Sequence, residues 1–294
     1  MPDLHPNAFS INIYLPHGEP DGLRIVGRTN WTGCGLVFKR SGFPSAMERA
    51  EFQKTGVYIL VGTVEDSSQP MLYIGEGEVL AARLQSHQAQ KDFWTWCVSF
   101  VTNDDSLNKA HVRYLEHRLL QLAKDSKQAR LDNTITTSEP NLSEPEQAAM
   151  ESFLGDILNI LPLVGLSAFE QPDTTAKPDV QFHFKGLGMH ATGYEGPQGF
   201  IVEKGSQAAA REVRSIHNFL RTLRRDLLDQ GVLVPRDDHL VFTQNHAFSS
   251  PSTAAGVVRG GNANGRIDWK TADGRTLKDL QTEAAGESYS SRSP

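Results

Sequence analysis

The segments GVYILVG, residues 56–62, and YIGEG, residues 73–77, decide the fold of the first half of the chain. Both are apolar runs rich in strand-forming residues, and the polar turn TVEDSSQP separates them, which is the pattern of a β-hairpin. Antiparallel pairing of the two strands would bring Tyr58 near Tyr73. Two tyrosines that only fill a core would produce the same pattern.

A helix is predicted directly after this hairpin, over residues 78–88, where leucines recur at helical spacing. Arg83 and His87 are four residues apart and therefore share one face of that helix. The alternative is a solvated helix face that carries an arginine and a histidine without any function. Gly75 would let the chain leave the second strand in a tight turn before the helix.

Glu116 is a charged residue among apolar neighbours. It belongs to HVRYLEHRLLQLA, residues 111–123, within a helix predicted over residues 105–125, and it falls inside the apolar stripe of that helix. A carboxylate in that position needs a cation or hydrogen-bond donors. The competing interpretation is a carboxylate at the border of the stripe, paired with Arg113 or His117.

Two tripeptides, Gly56–Val57–Tyr58 and Tyr73–Ile74–Gly75, lie on successive predicted strands with a helix after them. In this context they resemble the two name-giving motifs of the GIY-YIG nuclease family, over about residues 55–135. The resemblance implies an α+β fold with a small, mainly antiparallel sheet flanked by helices. It also implies hydrolysis of phosphodiester bonds assisted by one divalent metal ion, Mg²⁺ or Mn²⁺.

The resemblance assigns a role to each candidate side chain. Arg83 would orient and neutralise the scissile phosphate, and Glu116 would bind the metal ion. Either Tyr58 or His87 would remove the proton from the attacking water, and the residues alone leave that choice open. Tyr73 would position the water or the phosphate.

One further residue matches the GIY-YIG family, and two acidic residues differ from it. Asn133, in the segment ARLDN, resembles an asparagine that helps to complete the family's site, and Gly56 and Gly75 are predicted to be structural. Glu76 and Glu78 stand where many members of the family have polar or basic residues. These acidic groups would weaken the attraction for nucleic acid, or would face solvent with little effect.

Residues 180–281 resemble a C-terminal domain of unknown function that often follows GIY-YIG domains. The resemblance is carried by GFIVEKGS, by FSSPSTAAGVVRGGNANGRIDWK and by DGRTLKDL. It brings no known catalysis, and this half has no phosphate loop, nucleophile elbow or Cys/His metal-ligand spacing.

A long helix is predicted over residues 206–230, and its arginines make it a candidate for contacts with nucleic-acid phosphates. The helix would carry Arg211, Arg214, Arg221, Arg224 and Arg225. The residues assigned to nucleic-acid contact are Arg214, Arg221, Arg225 and Lys270. A solvated helix face paired with nearby acidic residues is the favoured alternative. Trp269 is expected to fill the core rather than to stack on a base.

Composition limits the classes of function. The 294 residues are 38% apolar and 22% charged, as in globular proteins, and the net charge is −6 with the acidic excess in the first 170 residues. Binding of nucleic acid would therefore need a local basic cluster. No apolar run is long enough to span a membrane and no secretory signal is visible. Cys34 and Cys97 fit a reducing compartment, so we expect a cytoplasmic protein.

The predicted organisation is α+β throughout, with a second small α+β domain after the nuclease-like one. The predicted segments are a β-rich extension (1–50), the nuclease-like domain (51–135), a helical extension (136–170), a linker (171–179), a C-terminal accessory domain (180–283) and a disordered tail (284–294).

The leading hypothesis is a metal-dependent endonuclease with a C-terminal accessory or targeting module, and DNA is favoured over RNA as its substrate. The alternative is a non-catalytic protein that keeps the fold and binds nucleic acid or a partner protein. A homodimer or a protein partner is left open, and no membrane partner is expected.

Overall fold

The computed structural model describes residues 8–63, 67, 69–134, 140–170, 179–186 and 188–290, with side chains as far as Glu283. The chain divides into two compact units. The N-terminal unit comprises Met1–Glu65 and Pro70–Phe169, and the C-terminal unit comprises Asp66–Gln69 and Glu170–Pro294. Sheets and flanking helices occur in both units, so the fold class is α+β, as the sequence predicts.

The N-terminal unit is built on one mixed sheet. Its strands are β1 (Ile11–Tyr14), β2 (Arg24–Arg28), β3 (Gly33–Lys39), β4 (Gly56–Gly62), β5 (Met71–Gly77), β6 (Trp94–Thr102) and β7 (Arg130–Leu131). Its α-helices are α1 (Phe43–Met47), α2 (Leu80–Gln90), α3 (Lys109–Ser126) and α4 (Glu144–Ile160). Across the described residues the strand order is β1-β2-β3-β6-β4-β5-β7. The β5–β7 pair is parallel, whereas the other pairs are antiparallel.

The hairpin predicted from residues 56–62 and 73–77 is present as β4 and β5. Because side chains alternate along a strand, β4 contributes to two cores. Val57 and Ile59 pack in the core beside α3 and α4, whereas Tyr58 and Leu60 pack on the opposite face, beside α2. The whole of β4 is buried because it lies between β5 and β6.

Strand β6 is absent from the sequence-based prediction, although it lies in the middle of the sheet between β3 and β4. Its sequence, WTWCVSFVT, is buried over most of its length. A strand buried on both faces is a nearly continuous apolar run without the alternation that reveals a half-exposed strand. That pattern explains why the prediction missed it.

The first three strands are part of this same sheet rather than a separate layer, since β3 pairs with β6 along its full length. Helix α4 also packs into the core of the unit, through Phe153, Leu154 and Ile157. The N-terminal strands and the helix after residue 140 therefore belong to one unit with the β4–β5 hairpin.

The C-terminal unit contains two small sheets. Its strands are β8 (Phe182–Gly186), β9 (Met189–Gly196), β10 (Gly199–Val202), β11 (Gln207–Ala209), β12 (Leu233–Arg236), β13 (His239–Phe242) and β14 (His246–Phe248). Its helices are α5 (Asn218–Asp229), α6 (Pro251–Arg259), α7 (Gly265–Asp268) and α8 (Leu277–Ser290). Over the described part of the unit, the sheet orders are β14-β10-β9-β8 and β11-β13-β12.

The helix predicted over residues 206–230 is wrong in its first half. Residues 207–209 form β11, which pairs with β13, and α5 begins only after His217. Ala208 is completely buried in this pairing. The alanines in this segment favour a helix locally, but the tertiary pairing overrides that preference. Arg211 and Arg214 consequently precede the helix instead of lying on it.

Helix α8 begins at Leu277 and ends at Ser290. The sequence analysis expects a disordered tail over residues 284–294, and α8 extends to Ser290 within that range. The polar residues GESYS lack a helical pattern of apolar positions, although the helix that starts at Leu277 continues through them. Residues 291–294 lie outside the described residues, as do residues 171–178 of the predicted linker.

Candidate functional site

Tyr58 and Tyr73 lie on the same face of the β4–β5 hairpin. Tyr58 pairs with Gly75 and Tyr73 pairs with Leu60, so the two tyrosines are diagonal neighbours whose ring centroids are 6.3 Å apart. Gly75 is required by this arrangement, because a Cβ atom at that position would lie 2.4 Å from the Tyr58 hydroxyl oxygen. Gly56 is similarly confined, with an added Cβ 2.4 Å from the Phe100 carbonyl oxygen.

Helix α2 places His87 against both tyrosines. Its Nε2 atom lies 2.7 Å from the Tyr58 hydroxyl oxygen, and its ring centroid lies 4.6 Å from that of Tyr73. Both Tyr58 and His87 are buried. The two motif tyrosines and the helix histidine thus form one cluster of three rings beneath the sheet.

Burial sets the protonation states of this cluster. It raises the pKa of Tyr58 well above its usual value, with a smaller contribution from the neighbouring Tyr73. Burial also lowers the pKa of His87 to about 4, and the positive charge of Lys91 lowers it further. At neutral pH the imidazole is therefore uncharged and the phenol keeps its proton, so Nε2 can accept the Tyr58 hydroxyl hydrogen.

Lys91 and Asp132 belong to the site, although the sequence analysis does not select them. The Lys91 ammonium lies 4.2 Å from the centre of the Tyr73 ring and forms an ion pair with Asp132. Lys91 follows His87 by four residues, a spacing that indicates a shared face at the end of α2 but does not reveal the contact with Tyr73.

Glu116 is buried in α3, with 9% of its surface exposed. Among the described residues, none donates a hydrogen bond to its carboxylate or forms an ion pair with it, so pairing with Arg113 or His117 is not observed. Burial raises the pKa of Glu116 to about 7, and the charge of Glu76 adds to this effect. The Glu116 carboxylate is thus desolvated without the donors that usually accompany such a group.

Glu76 lies close to this carboxylate and is held by Lys109. The Lys109 ammonium is 2.8 Å from each carboxylate oxygen of Glu76. In the β5 register, Glu76 is on the opposite face of the sheet from Tyr73 and on the α3 side. One of the two acidic residues that depart from the family pattern therefore faces the candidate metal ligand.

The two groups of side chains lie on opposite faces of the sheet that contains β5. Strand β7 pairs only with Met71 and Leu72, so within the described chain no strand pairs with the later part of β5 on that side. Arg83 lies beside the end of β5, where its Cγ atom is 2.8 Å from the position of an added Cβ on Gly77. Its charge acts both on Tyr58 and on Glu116, which lie on opposite faces.

Asn133 supports the strand that carries these groups. Its side-chain oxygen accepts a hydrogen bond from the Ile74 N–H at 3.0 Å, and its amide nitrogen donates to the Ile74 carbonyl at 2.8 Å. These two bonds continue the pairing of β5 beyond the end of β7. The geometry therefore gives Asn133 a positioning role beside Tyr73 and Gly75.

The predicted cationic contacts of the C-terminal unit differ in their local surroundings. Arg221 is paired with Glu212, and Arg225 is exposed on α5. Arg224 is buried, donating to Glu212 and to backbone carbonyls, so it is a core residue. Arg214 lies outside the helix, and Lys270 is exposed beside a different strand.

Trp269 is completely buried, and its indole N–H donates to the Pro251 carbonyl at 3.0 Å. It also packs against Phe200, at 4.6 Å between ring centroids. It fills the core of the C-terminal unit, as the sequence analysis expects.

In the part of the chain that the structure describes, no group of three or more His, Cys, Asp or Glu side chains is arranged to hold a metal ion. Glu116, with Glu76 nearby, could therefore supply only part of a coordination shell. Waters and substrate oxygens usually complete the shell of Mg²⁺. No described helix is both long and apolar enough to cross a membrane.

Comparison with known proteins identifies one region. Residues 182–281 match the family described as a domain of unknown function (DUF4357). This range begins at the first residue of β8 and ends within α8, and it agrees with the C-terminal resemblance seen in the sequence. No curated protein and no solved structure matches the chain significantly.

Proposed function

We propose that the chain is a GIY-YIG-type endonuclease that hydrolyses phosphodiester bonds of nucleic acid with one Mg²⁺ or Mn²⁺ ion, DNA being favoured as the substrate. The observation that carries this proposal is the buried Glu116 carboxylate, which has no hydrogen-bond donor or ion-pair partner among the described residues. A desolvated carboxylate in this state costs free energy unless a cation compensates it.

The residues present fit such an ion. Carboxylate oxygens are the ligands that Mg²⁺ and Mn²⁺ prefer, and Glu116 would hold the ion with Glu76 as the nearest second carboxylate. When bound, the ion would stabilise the negative charge that develops on the scissile phosphate and on the leaving oxygen. Lys109, already paired with Glu76, limits the repulsion between the two carboxylates in the free protein.

The proton of the attacking water would pass to the Tyr58–His87 pair. Burial disfavours a stored phenolate on Tyr58 and also makes the imidazole of His87 a weak base, so the negative charge of a bound phosphate would be needed to stabilise the imidazolium that forms. The 2.7 Å contact lets the Tyr58 hydroxyl give its hydrogen to His87 as it takes one from water. His87 is therefore the final proton acceptor in this mechanism.

Arg83 and Tyr73 would hold the substrate. Arg83 is exposed at the free edge of β5, where its planar guanidinium can form two hydrogen bonds to one phosphate. Tyr73 is half-buried beside it and is fixed between His87 and Lys91. The phosphate would thus be held between the Tyr58–His87 pair on one face of β5 and Glu116 on the other.

A non-catalytic binding protein is the alternative function. A protein that only binds would gain nothing from a buried carboxylate without hydrogen-bond donors on one face of the sheet and a histidine of lowered pKa on the other. Perturbed groups of this kind are typical of sites that perform chemistry. The geometry therefore favours the enzyme.

Cleavage of supercoiled plasmid tests the proposal. We expect nicking with Mg²⁺ or Mn²⁺ that chelation abolishes and that Glu116→Gln reduces at least about 100-fold, because that variant keeps the shape but loses the charge. Glu48→Gln, which removes the same charge from an exposed position in the same unit, is the matched control and should cleave normally. Equal cleavage by the wild type and by Glu116→Gln would refute the assignment.

A further inference from the structure

A pocket of about 360 Å³ lies on the outer surface of the C-terminal unit, beside β8. We call it the β8 pocket. Its lining residues are His183, Lys185, Ile267, Asp268, Lys270, Thr271, Ala272 and Gly274. Its volume is within the usual range for pockets that bind small ligands.

The strand pairing collects cationic groups on this surface. His183 and Lys185 are two residues apart in β8, so their side chains project from the same face. His190 pairs directly with Lys185, and the rings of His183 and His190 are 5.4 Å apart. Phe182 and Phe184 point to the opposite face, into the core.

Lys270 is attached to this surface by backbone hydrogen bonds. The His183 N–H donates to the Lys270 carbonyl at 2.7 Å, and the Lys270 N–H donates to the His183 carbonyl at 3.0 Å. Side chains of residues paired in this way lie next to each other on one face of a sheet. Trp269, buried on the other side, fixes the orientation of Lys270.

The lysines of the pocket have no counterion in the described chain. Neither Lys185 nor Lys270 forms an ion pair with a described residue. Asp268, the carboxylate in the lining, is occupied by Arg259 and by the Asn264 N–H. The pocket therefore has uncompensated positive charge, although the chain as a whole is acidic.

His183 adds an unused hydrogen-bonding atom. Its Nδ1 atom is buried and has no hydrogen-bond partner in the described structure, which is uncommon for a buried polar atom. Burial lowers the pKa of His183, and the neighbouring His190 and Lys185 lower it further, while Glu203 opposes them. A bound anion would offset this accumulation of positive charge.

One wall of the pocket is apolar. Ile267, on α7, is 47% exposed in this wall, and Ala272 is the other apolar residue of the lining. An inorganic anion would use the lysines but not this wall. A nucleotide has a phosphate that can contact the lysines, and a sugar and base that can contact the apolar wall.

We propose that the β8 pocket binds a phosphate group carried by a nucleotide unit, with Lys185 and Lys270 on the phosphate and Ile267 against the sugar or base. The site is in the unit of unknown function and does not depend on the nuclease assignment of the N-terminal unit. Two sources share this chemistry, a single-stranded nucleic acid and a free nucleotide.

Histidine resonances of the full-length protein provide a local test. The imidazole signals of His183 and His190 report on the pocket, and that of His87 reports on the N-terminal unit. The ligands are a twelve-nucleotide oligothymidylate and AMP, added at low salt with a chelator so that no metal-dependent cleavage occurs. We expect the His183 and His190 signals to shift saturably with at least one of them.

Variants that each remove one positive charge, inside or outside the pocket, test whether the lysines bind the phosphate. Lys185→Gln and Lys270→Gln should each weaken the apparent affinity about tenfold, as the loss of a charged hydrogen bond would. Arg236→Gln removes one positive charge from an exposed position outside the pocket lining and should change the affinity less than about twofold.

Shifts caused by the oligonucleotide alone identify a strand as the source of the phosphate, and shifts caused also by AMP identify a free nucleotide as sufficient. Either result supports the pocket. Signals that do not move, or lysine variants that behave like Arg236→Gln, overturn it. The Glu116→Gln variant should keep the shifts, so failure of the nuclease proposal and failure of this one are distinguishable.

Discussion

The Tyr58 hydroxyl oxygen lies 2.7 Å from Nε2 of His87, and both side chains are buried between α2 and the sheet. The pair joins a strand motif to a helix residue across 29 positions of sequence. Because burial favours the uncharged form of each group, it is a neutral hydrogen-bonded pair and not a tyrosinate–imidazolium pair.

Removing either member of this pair should abolish most cleavage. We expect Tyr58→Phe and His87→Asn each to lower kcat by about 10²- to 10⁴-fold, the usual contribution of a general base. The double variant should be little slower than either single variant, because the two groups act as one unit. Plasmid nicking under single-turnover conditions measures these rates, and additive losses would contradict a shared role.

Gly75→Ala should disturb the site without replacing any ionisable group. The added Cβ would lie 2.4 Å from the Tyr58 hydroxyl oxygen, so the ring has to move away from His87. We expect a loss of about 1–3 kcal/mol in the free energy of unfolding, together with a loss of cleavage. Gly27→Ala, where an added Cβ meets nothing within 4 Å, is the control and should unfold near the wild-type denaturant midpoint.

Glu76 should contribute to metal binding. We expect Glu76→Gln to weaken Mn²⁺ binding about tenfold, because the second carboxylate near Glu116 is lost. Glu78→Gln, two residues away and exposed, carries the same charge change and should bind normally. Electron paramagnetic resonance of free Mn²⁺ measures both affinities. Equal Mn²⁺ affinities for the two variants would contradict a role of Glu76 in metal binding and would leave it only its ion pair with Lys109.

The buried His246 should make stability depend on pH. Burial lowers its pKa to about 4 in the folded chain, against about 6.5 in an unfolded chain. The unfolded state therefore binds more protons between these values, so the free energy of unfolding falls as the pH decreases from about 6.5 to about 4 and then levels off. His87 acts in the same direction in the N-terminal unit.

Urea unfolding at pH 7.0, 5.5 and 4.5 measures this dependence. A His246→Gln variant should show a weaker dependence in the transition of the C-terminal unit, whereas His17→Gln, at an exposed position, should keep it. An unchanged pH dependence in His246→Gln would contradict the assignment of the effect to this residue.

The candidate site is partly predictable from sequence because its parts are local. The hairpin register follows from two apolar runs and a turn, and the four-residue spacing of Arg83 and His87 defines a helix face. The position of Glu116 in an apolar stripe indicates that it is buried. None of these patterns reveals that the charge of Arg83 acts on both Tyr58 and Glu116, which lie on opposite faces of the sheet.

The sequence-based account fails where tertiary pairing decides. Strand β6 has too little alternation to be recognised, and β11 is formed from alanines that favour a helix in isolation. Lys91 is missed because its role depends on contact with Tyr73, far away in the sequence. In each case the structure depends on a strand or side chain that is distant in sequence, so the neighbouring residues alone do not reveal it.

Metal binding at Glu116 tests the account most directly, since it does not require the right nucleic-acid substrate. We expect the wild-type chain to bind one Mn²⁺ ion, measured by electron paramagnetic resonance, and Glu116→Gln to lose this binding while Glu48→Gln retains it. One Mn²⁺ bound with the same affinity by Glu116→Gln would contradict the assignment of Glu116 as the metal ligand, and with it the proposed nuclease.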